Sequence, residues 1–348
     1  MPKLGEALAM RPKLAIAADA VALLAVLLIL RTTFAQAPQT APPTLTPEEL
    51  QVYRKAHTVI DWTPKEIRGR RELKGLQPAG SQGNLAKILQ EAGERVAAFI
   101  ENLPNVTATE SIQWQVDSPS SKDLSSQKFR YLLMRRPTAG GETFAEYRTD
   151  PQGNEIDYNG LQGSHPLTSG FTLSLLYFDP HNQAACRYRY FGRQMLGEQE
   201  TDVVGFAQIP EGNLRLANLY DGKRRIPLLF QGLAWIDHRT HGIMRLETDL
   251  LSPPPHTSLQ RETTRIDYAP VQLPGVAGAV MLPDKVVVDA WLSVNVLKPA
   301  AGFTGGTRQG ITVENPPVGE KYRQHYRNIH SYSDYKLFRV ESRIGPTP

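Results

Sequence analysis

The chain has little cysteine and little net charge, and after its first thirty residues it has no long hydrophobic run. A single cysteine in 348 residues, Cys186, excludes a disulfide framework and any cysteine-based zinc or iron–sulfur site. Lys and Arg number 39 against 35 Asp and Glu, a formal charge of +4. The first 35 residues hold Lys3, Arg11, Lys13 and Arg31 against Glu6 and Asp19, so the remainder carries half that excess. Proteins that bind nucleic acid carry a clustered basic footprint, and this balance excludes nucleic acid as an expected partner. No apolar stretch beyond the N-terminus is long enough to span a membrane. With 41% hydrophobic and 21% charged residues, wholesale disorder and a coiled coil are also excluded, and the length allows one large domain or two ordinary ones.

The N-terminus reads as an export signal over residues 1–35. Basic residues precede an apolar core, Ala20-Val-Ala-Leu-Leu-Ala-Val-Leu-Leu-Ile-Leu30, and small residues follow at Thr33 and Ala35. Cleavage is expected after Ala35, because Pro38 disfavours the Ala35-Gln-Ala37 alternative. An uncleaved anchor is the other reading. It is weakened by the short core and by Asp19, which is costly inside a bilayer. The expected location is therefore the periplasm or outer envelope of a bacterium. Residues 36–45 are Pro-, Ala- and Thr-rich and read as a tether.

Residues 46–104 read as a helical lead-in. Thr46-Pro47-Glu48-Glu49 and Thr63-Pro64-Lys65-Glu66 are capping boxes with proline at the first helical position. Leu85, Ile88, Leu89, Ala92, Val96, Phe99, Ile100 and Leu103 then recur every three or four residues as one apolar stripe, which Pro104 ends. From 105 to 343 the period becomes two. Val106, Ala108, Ile112, Trp114 and Val116 alternate with polar residues, as do Cys186, Tyr188 and Tyr190, and Val286 to Val296. Pro151-Gln-Gly-Asn154, Asp221-Gly222 and His241-Gly242 mark turns between strands. No strand–helix–strand rhythm appears. The expected fold is α+β, mainly β: one large antiparallel sheet, curled into a half-open barrel with the N-terminal helices packed on it.

No catalytic or metal constellation stands out, and no cofactor is expected. His238 and His241 flank a hairpin tip and lack a third ligand. Gly163-Ser164-His165 lacks the second glycine of a nucleophile elbow. Asp237, Glu247, Asp267 and Asp289 fall on the wet phase of strands, and nothing selects a pair of them for acid–base work. Cys186 reads as buried and inert. Lys321, Arg323, His325 and Arg327 form a basic strand face that would discourage edge pairing or touch anionic headgroups. If the sheet curls, its concave side is expected to carry Trp114, Tyr188, Tyr190, Trp235, Met244 and Leu292 as ligand-lining residues, with the stripe helix as lid or plug. A core filled by that helix is the competing expectation.

The hairpin Ala234-Trp-Ile-Asp-His-Arg-Thr-His-Gly-Ile-Met-Arg-Leu-Glu247 is followed by Ile266-Asp-Tyr-Ala-Pro270, Leu282-Pro-Asp-Lys-Val286 and Ser333-Asp-Tyr-Lys-Leu-Phe338. This order resembles the lipoprotein-carrier superfamily of periplasmic lipoprotein-sorting proteins over about residues 200–343. The resemblance implies a half-open antiparallel barrel whose apolar concave face holds lipid chains or a peptide. The chain is longer than a typical carrier, with residues 46–75 and 300–320 as additions, and the family's lid-closing arginine matches no residue. The reading that follows is a non-enzymatic envelope protein that binds a lipid or other hydrophobic ligand, with peripheral membrane contact as a further expectation. The alternatives are a structural or regulatory module docking on another envelope protein, and a hydrolase.

Overall fold

The computed structural model describes residues 44–117, 122–138, 141–154, 156, 170–220, 225–295 and 321–338. The export segment, the tether up to residue 43, Gly163–His165 and the 300–320 stretch lie outside the described residues. No helix among the described residues is long and apolar enough to cross a membrane.

Both capping boxes form. Thr46 and Glu49 cap α1 (Pro47–Arg54) through Thr46 N–H to Glu49 Oε2 at 2.8 Å and Glu49 N–H to Thr46 Oγ1 at 3.2 Å. Thr63 and Glu66 do the same for α2 (Pro64–Gly69). The apolar stripe becomes α3 (Leu85–Asn102). Gly93, in the middle of α3, faces Phe178 and Gln183, where a Cβ would lie 3.1 Å from the Phe178 carbonyl oxygen. The residue with the poorest helix propensity but proline is thus placed where the helix comes closest to its support.

The strands are β1 (Gln77–Pro78), β2 (Val106–Asp117), β3 (Lys122–Thr138), β4 (Gly141–Thr149), β5 (Cys186–Leu196), β6 (Gln199–Gln208), β7 (Ala217–Tyr220), β8 (Arg225–Leu228), β9 (Phe230–Asp237), β10 (Ile243–Leu250), β11 (Leu259–Gln272), β12 (Ala279–Asn295) and β13 (Lys321–Leu337). All but β7 and β8 form one eleven-stranded sheet in the order β1-β5-β6-β9-β10-β11-β12-β13-β2-β3-β4. Every pairing is antiparallel, and the described end strands do not pair to close it. Short 3-10 turns at Leu173–Tyr177 and Gln183–Ala185 lead into β5.

The sheet must curl. In a flat sheet β5 and β4, nine places apart, would be separated by about 43 Å. Yet α3, about 27 Å long, touches both. Gln183, just before β5, donates to the Leu89 carbonyl at 2.9 Å, and Phe99 packs on Phe144 of β4 at 5.9 Å between ring centroids. Arg95 and Arg135 add donors to the Thr240 and Glu101 carbonyls. The helix spans the gap between the two ends of the sheet and buries Ile88, Ala92 and Val96 in the central apolar cluster. Each large side chain so buried contributes roughly 1.5–3 kcal/mol.

The part of the lead-in before α3 lies on the other face. Val59, Trp62 and Leu73 pack on Phe191, Val203, Leu233 and Trp235, and Tyr53 packs near Ala207, Leu229 and Leu251. Val59 N–H donates to Gln231 Oε1 at 2.6 Å, and Arg189 donates to the Ile60 and Trp62 carbonyls. As a result β6 is buried on both faces from Thr201 to Gln208, and β9 nearly so. Simple in–out alternation is therefore absent from these two strands, for the reason that buries parallel strands: there is a layer on each side. Gly192 of β5, at φ 131°, lets β1 approach so closely that a Cβ would stand 2.0 Å from the Gln77 carbonyl oxygen.

Candidate functional site

Strand parity distributes the expected lining residues over two faces. Tyr190 belongs to the central cluster beneath α3, and Tyr188 and Leu292 are half-buried against it. The Tyr188 hydroxyl donates to the Tyr177 carbonyl, and the Tyr190 hydroxyl donates to Asp202 Oδ1 at 2.7 Å. Trp114 shares the inner phase of β2 with Val106 and Ala108 but packs in a separate cluster with Ile112 and Phe129. Trp235 points to the opposite face, under the lead-in, where its indole N–H donates to Gln194 Oε1 at 2.8 Å. Met244 sits in a β-bulge between Ile243 and Arg245 and joins none of the apolar clusters of the described residues. The structure thus brings Tyr188, Tyr190 and Leu292 to one apolar surface, and Trp114, Trp235 and Met244 to three other settings.

At the β13-β2-β3-β4 end, the inner face carries a fully buried polar network. Glu110 occupies an inward position of β2 with 0% exposure. Its carboxylate accepts from Arg148 Nε at 2.5 Å and Nη2 at 2.8 Å, and from the Tyr332 hydroxyl at 2.7 Å. His330 Nδ1 lies 2.8 Å from the same Oε1, and its ring meets Phe171 edge-on at 4.9 Å. Burial pushes the Glu110 carboxyl up, but the Arg148 charge and the hydrogen bonds from His330 and Arg148 outweigh it and hold the group near 2. Burial lowers His330 from its usual value despite the carboxylate beside it. Next to this network, Tyr131 bonds Thr172 at 3.2 Å, and Glu146 accepts from Gly170 and Thr172 N–H, both at 2.8 Å. These contacts fasten the chain at residues 170–172.

The β10-β11-β12 stretch of the same face is largely apolar, with Thr248 and Thr264 as buried hydroxyls and Glu262 as its one acid. Leu259 pairs with Leu292, Glu262 with Ala290, Thr264 with Val288 and Ile266 with Val286, all on the inward phase. Tyr177 stacks on Phe206 at 4.7 Å, and Phe178 crosses Phe206 and Tyr188 to fill the centre. Leu216, Ala217, Leu219, Ala290 and Leu292 lie on this cluster while remaining only half-buried. Burial alone raises the Glu262 carboxyl to about 7.

The other sequence candidates have ordinary partners. His238 Nδ1 sits 2.7 Å from Asp202 Oδ2 and His241 Nδ1 sits 3.5 Å from Glu91, so the two imidazoles serve different carboxylates. Asp237 is buried, not wet. Its Oδ1 accepts from Arg239 N–H, Thr240 N–H and the Thr240 hydroxyl, and although burial opposes the charge these bonds hold the carboxyl below its usual range. Cys186 is buried and its thiol is pushed up to about 12. On the outer face Asp267 pairs with Arg245 and Arg265, and Asp289 with His325 and Arg327. Glu247 rises to about 7 through burial and the nearby Glu72 charge. No group of three metal-ligating side chains occurs among the described residues.

Glu110 and Glu262 escaped the sequence reading, although each leaves a trace in it. Glu110 interrupts the apolar phase Val106, Ala108, Ile112, Trp114, and Glu262 precedes Thr264, Ile266 and Tyr268 in phase. A carboxylate on the dry phase of a strand was the available signal.

No family model matches the chain, and no curated protein matches its sequence. Among solved structures, it is similar to an outer-membrane lipoprotein-sorting protein domain from Vibrio parahaemolyticus, at 12% identity over 72% of this chain and 92% of the other, TM-score 0.38. A DUF1329 family protein from Desulfovibrio piger follows, at 8% identity over 74% and 94%, TM-score 0.39. A LolA-superfamily protein from Nitrosomonas europaea matches at 11% identity over 73% and 94%, TM-score 0.30. The structural neighbours are thus lipoprotein-sorting, LolA-superfamily and DUF1329 proteins, at low sequence identity.

Proposed function

We propose that this is an exported protein of the bacterial envelope that holds a lipid or another hydrophobic ligand against the inner face of its sheet, without catalysing a reaction. One observation carries the reading. Tyr188, Leu216, Leu219, Ala290 and Leu292 rest on a buried apolar cluster yet keep part of their own surface open, on the face that α3 spans. Covering such surface with an acyl chain is favourable by roughly 25 cal/mol per Å². Binding at a site of this kind also needs few polar contacts. Export rests on the sequence pattern of residues 1–35.

A fluorescent long-chain alcohol analogue, which carries an alkyl chain and no charge, titrated into the mature protein tests the proposal. The wild type is expected to bind it saturably, and Leu292→Asp to weaken binding at least tenfold while circular dichroism stays native. Absence of saturable binding by the wild type would contradict the proposal. A docking role is the second reading, favoured by Trp291 on the outer face, which stacks on His325 at 4.7 Å and lies under Arg261 at 4.9 Å. Aromatic and arginine side chains of this kind are enriched at protein interfaces.

A further inference from the structure

Glu262 stands alone on the inner face. It projects from β11 in phase with Ile266 and Tyr268 of the central cluster, and its partner across the ladder is Ala290. Among the described residues its carboxyl has no hydrogen bond and no ion pair, and burial is the sole influence on its titration. The Asp179 carboxylate stands beyond Tyr188; the titratable group within reach of Glu262 is Tyr177, from the turn before β5, with Cys186 and Tyr188 of β5 beyond it. Burial raises Tyr177, Cys186 and Tyr188 well above neutrality, so none of these three carries a charge there. From β10 the inward residues are Thr248 and Leu250, and from β12 they are Val288, Ala290 and Leu292, none of them ionisable.

The acid is therefore uncompensated, in contrast to Glu110, whose carboxylate meets a guanidinium. Isolated charge on an apolar surface is costly, and that cost is recovered when a ligand brings the opposite charge. An anionic head would be repelled, and a neutral one would leave the carboxylate unpaired. We propose that Glu262 selects an amphiphile whose head is a protonated amine, pairing with it while the chain lies along Ala290 and Leu292. The inference rests on the ligand-holding reading above and names the head chemistry of that ligand. A carboxyl titrating near 7 is charged above that pH and neutral below it, so the amine preference fades on acidification.

The test is displacement of a bound fluorescent probe from the full chain by dodecylammonium, dodecanol and dodecanoate, each below its micelle-forming concentration, at pH 8 and pH 5. At pH 8 the wild type is expected to take dodecylammonium at least tenfold more tightly than dodecanol, with dodecanoate weakest. That ratio should fall to near one in Glu262→Gln, and in the wild type at pH 5. Glu262→Asp keeps the charge and should keep the direction of the preference. Equal displacement by all three at pH 8, or a ratio that survives in Glu262→Gln, would overturn the head-group assignment while the ligand-holding reading stands. Failure of the probe to bind would overturn both, whereas a probe that binds and is displaced by none of the three would overturn the head-group assignment alone.

Discussion

Two stretches of the same inner face handle an acid in opposite ways, the first fully buried and the second half-buried. Where β13, β2, β3 and β4 meet, Glu110 is enclosed by Arg148, His330 and Tyr332, and its charge is stabilised. On β11, Glu262 faces alanine, leucine and a phenol, and its charge is penalised. The first arrangement has the features of a structural fastening: the Glu110 carboxylate finds all its partners within the chain, although the far ring nitrogen of His330, Nε2, is left without one. The second is completed by nothing among the described residues, and it lies beside half-buried aliphatic surface. Burial acts on both acids, and the difference comes from whether the fold brings a partner, so the incomplete one is the place to look for a ligand.

The largest expected effect breaks the completed side. Arg148→Ala would strand the Glu110 carboxylate and should cost about 3–5 kcal/mol in chemical denaturation near neutral pH. Because Glu110 titrates near 2 in the folded state against 4.5 ordinarily, its contribution is full above about 4.5 and is lost as pH falls toward 2. The lowered His330 acts in the same direction, since the unfolded chain takes up its proton first as pH falls. A variant as stable as the wild type would show that the network holds nothing together.

The uncompensated side should respond with the reverse sign. Glu262 is raised to about 7, so its charge destabilises the fold progressively above the ordinary carboxylate value, and fully above pH 7. Glu262→Gln is expected to gain on the order of 2 kcal/mol at pH 8 and progressively less as pH falls below 7, vanishing below about pH 4, followed as the shift in denaturation midpoint. A loss of stability at pH 8 would mean that the carboxylate has a partner.

Tyr332→Phe sharpens the contrast at smaller scale. It removes one of the donors to Glu110 and leaves Arg148 and His330 in place. A cost of about 1.5 kcal/mol is expected, and a cost matching that of Arg148→Ala would show that the hydroxyl, not the guanidinium, governs the site.

Much of the architecture is written in local patterns. Two capping boxes announce α1 and α2, a three-and-four stripe announces α3, and alternation from Val106 onward announces an antiparallel sheet. Alternation says that two faces differ, but it cannot say which face of one strand joins which face of the next. Trp235 and Tyr190 both occupy apolar phases and end on opposite sides of the sheet. The covered outer face of β6 and β9 depends on the lead-in folding back across more than a hundred residues, a contact with no local signature. Glu110 and His330 stand 220 positions apart and meet only because β13 pairs with β2.

Native mass spectrometry of the mature protein, purified gently from a bacterial envelope, tests the central claim most directly. An adduct of lipid-like mass on the wild type, lost in Leu292→Asp, is the result expected for a sheet that holds a hydrophobic ligand on its inner face. A clean unliganded mass, repeated after incubation with envelope lipids, would contradict it.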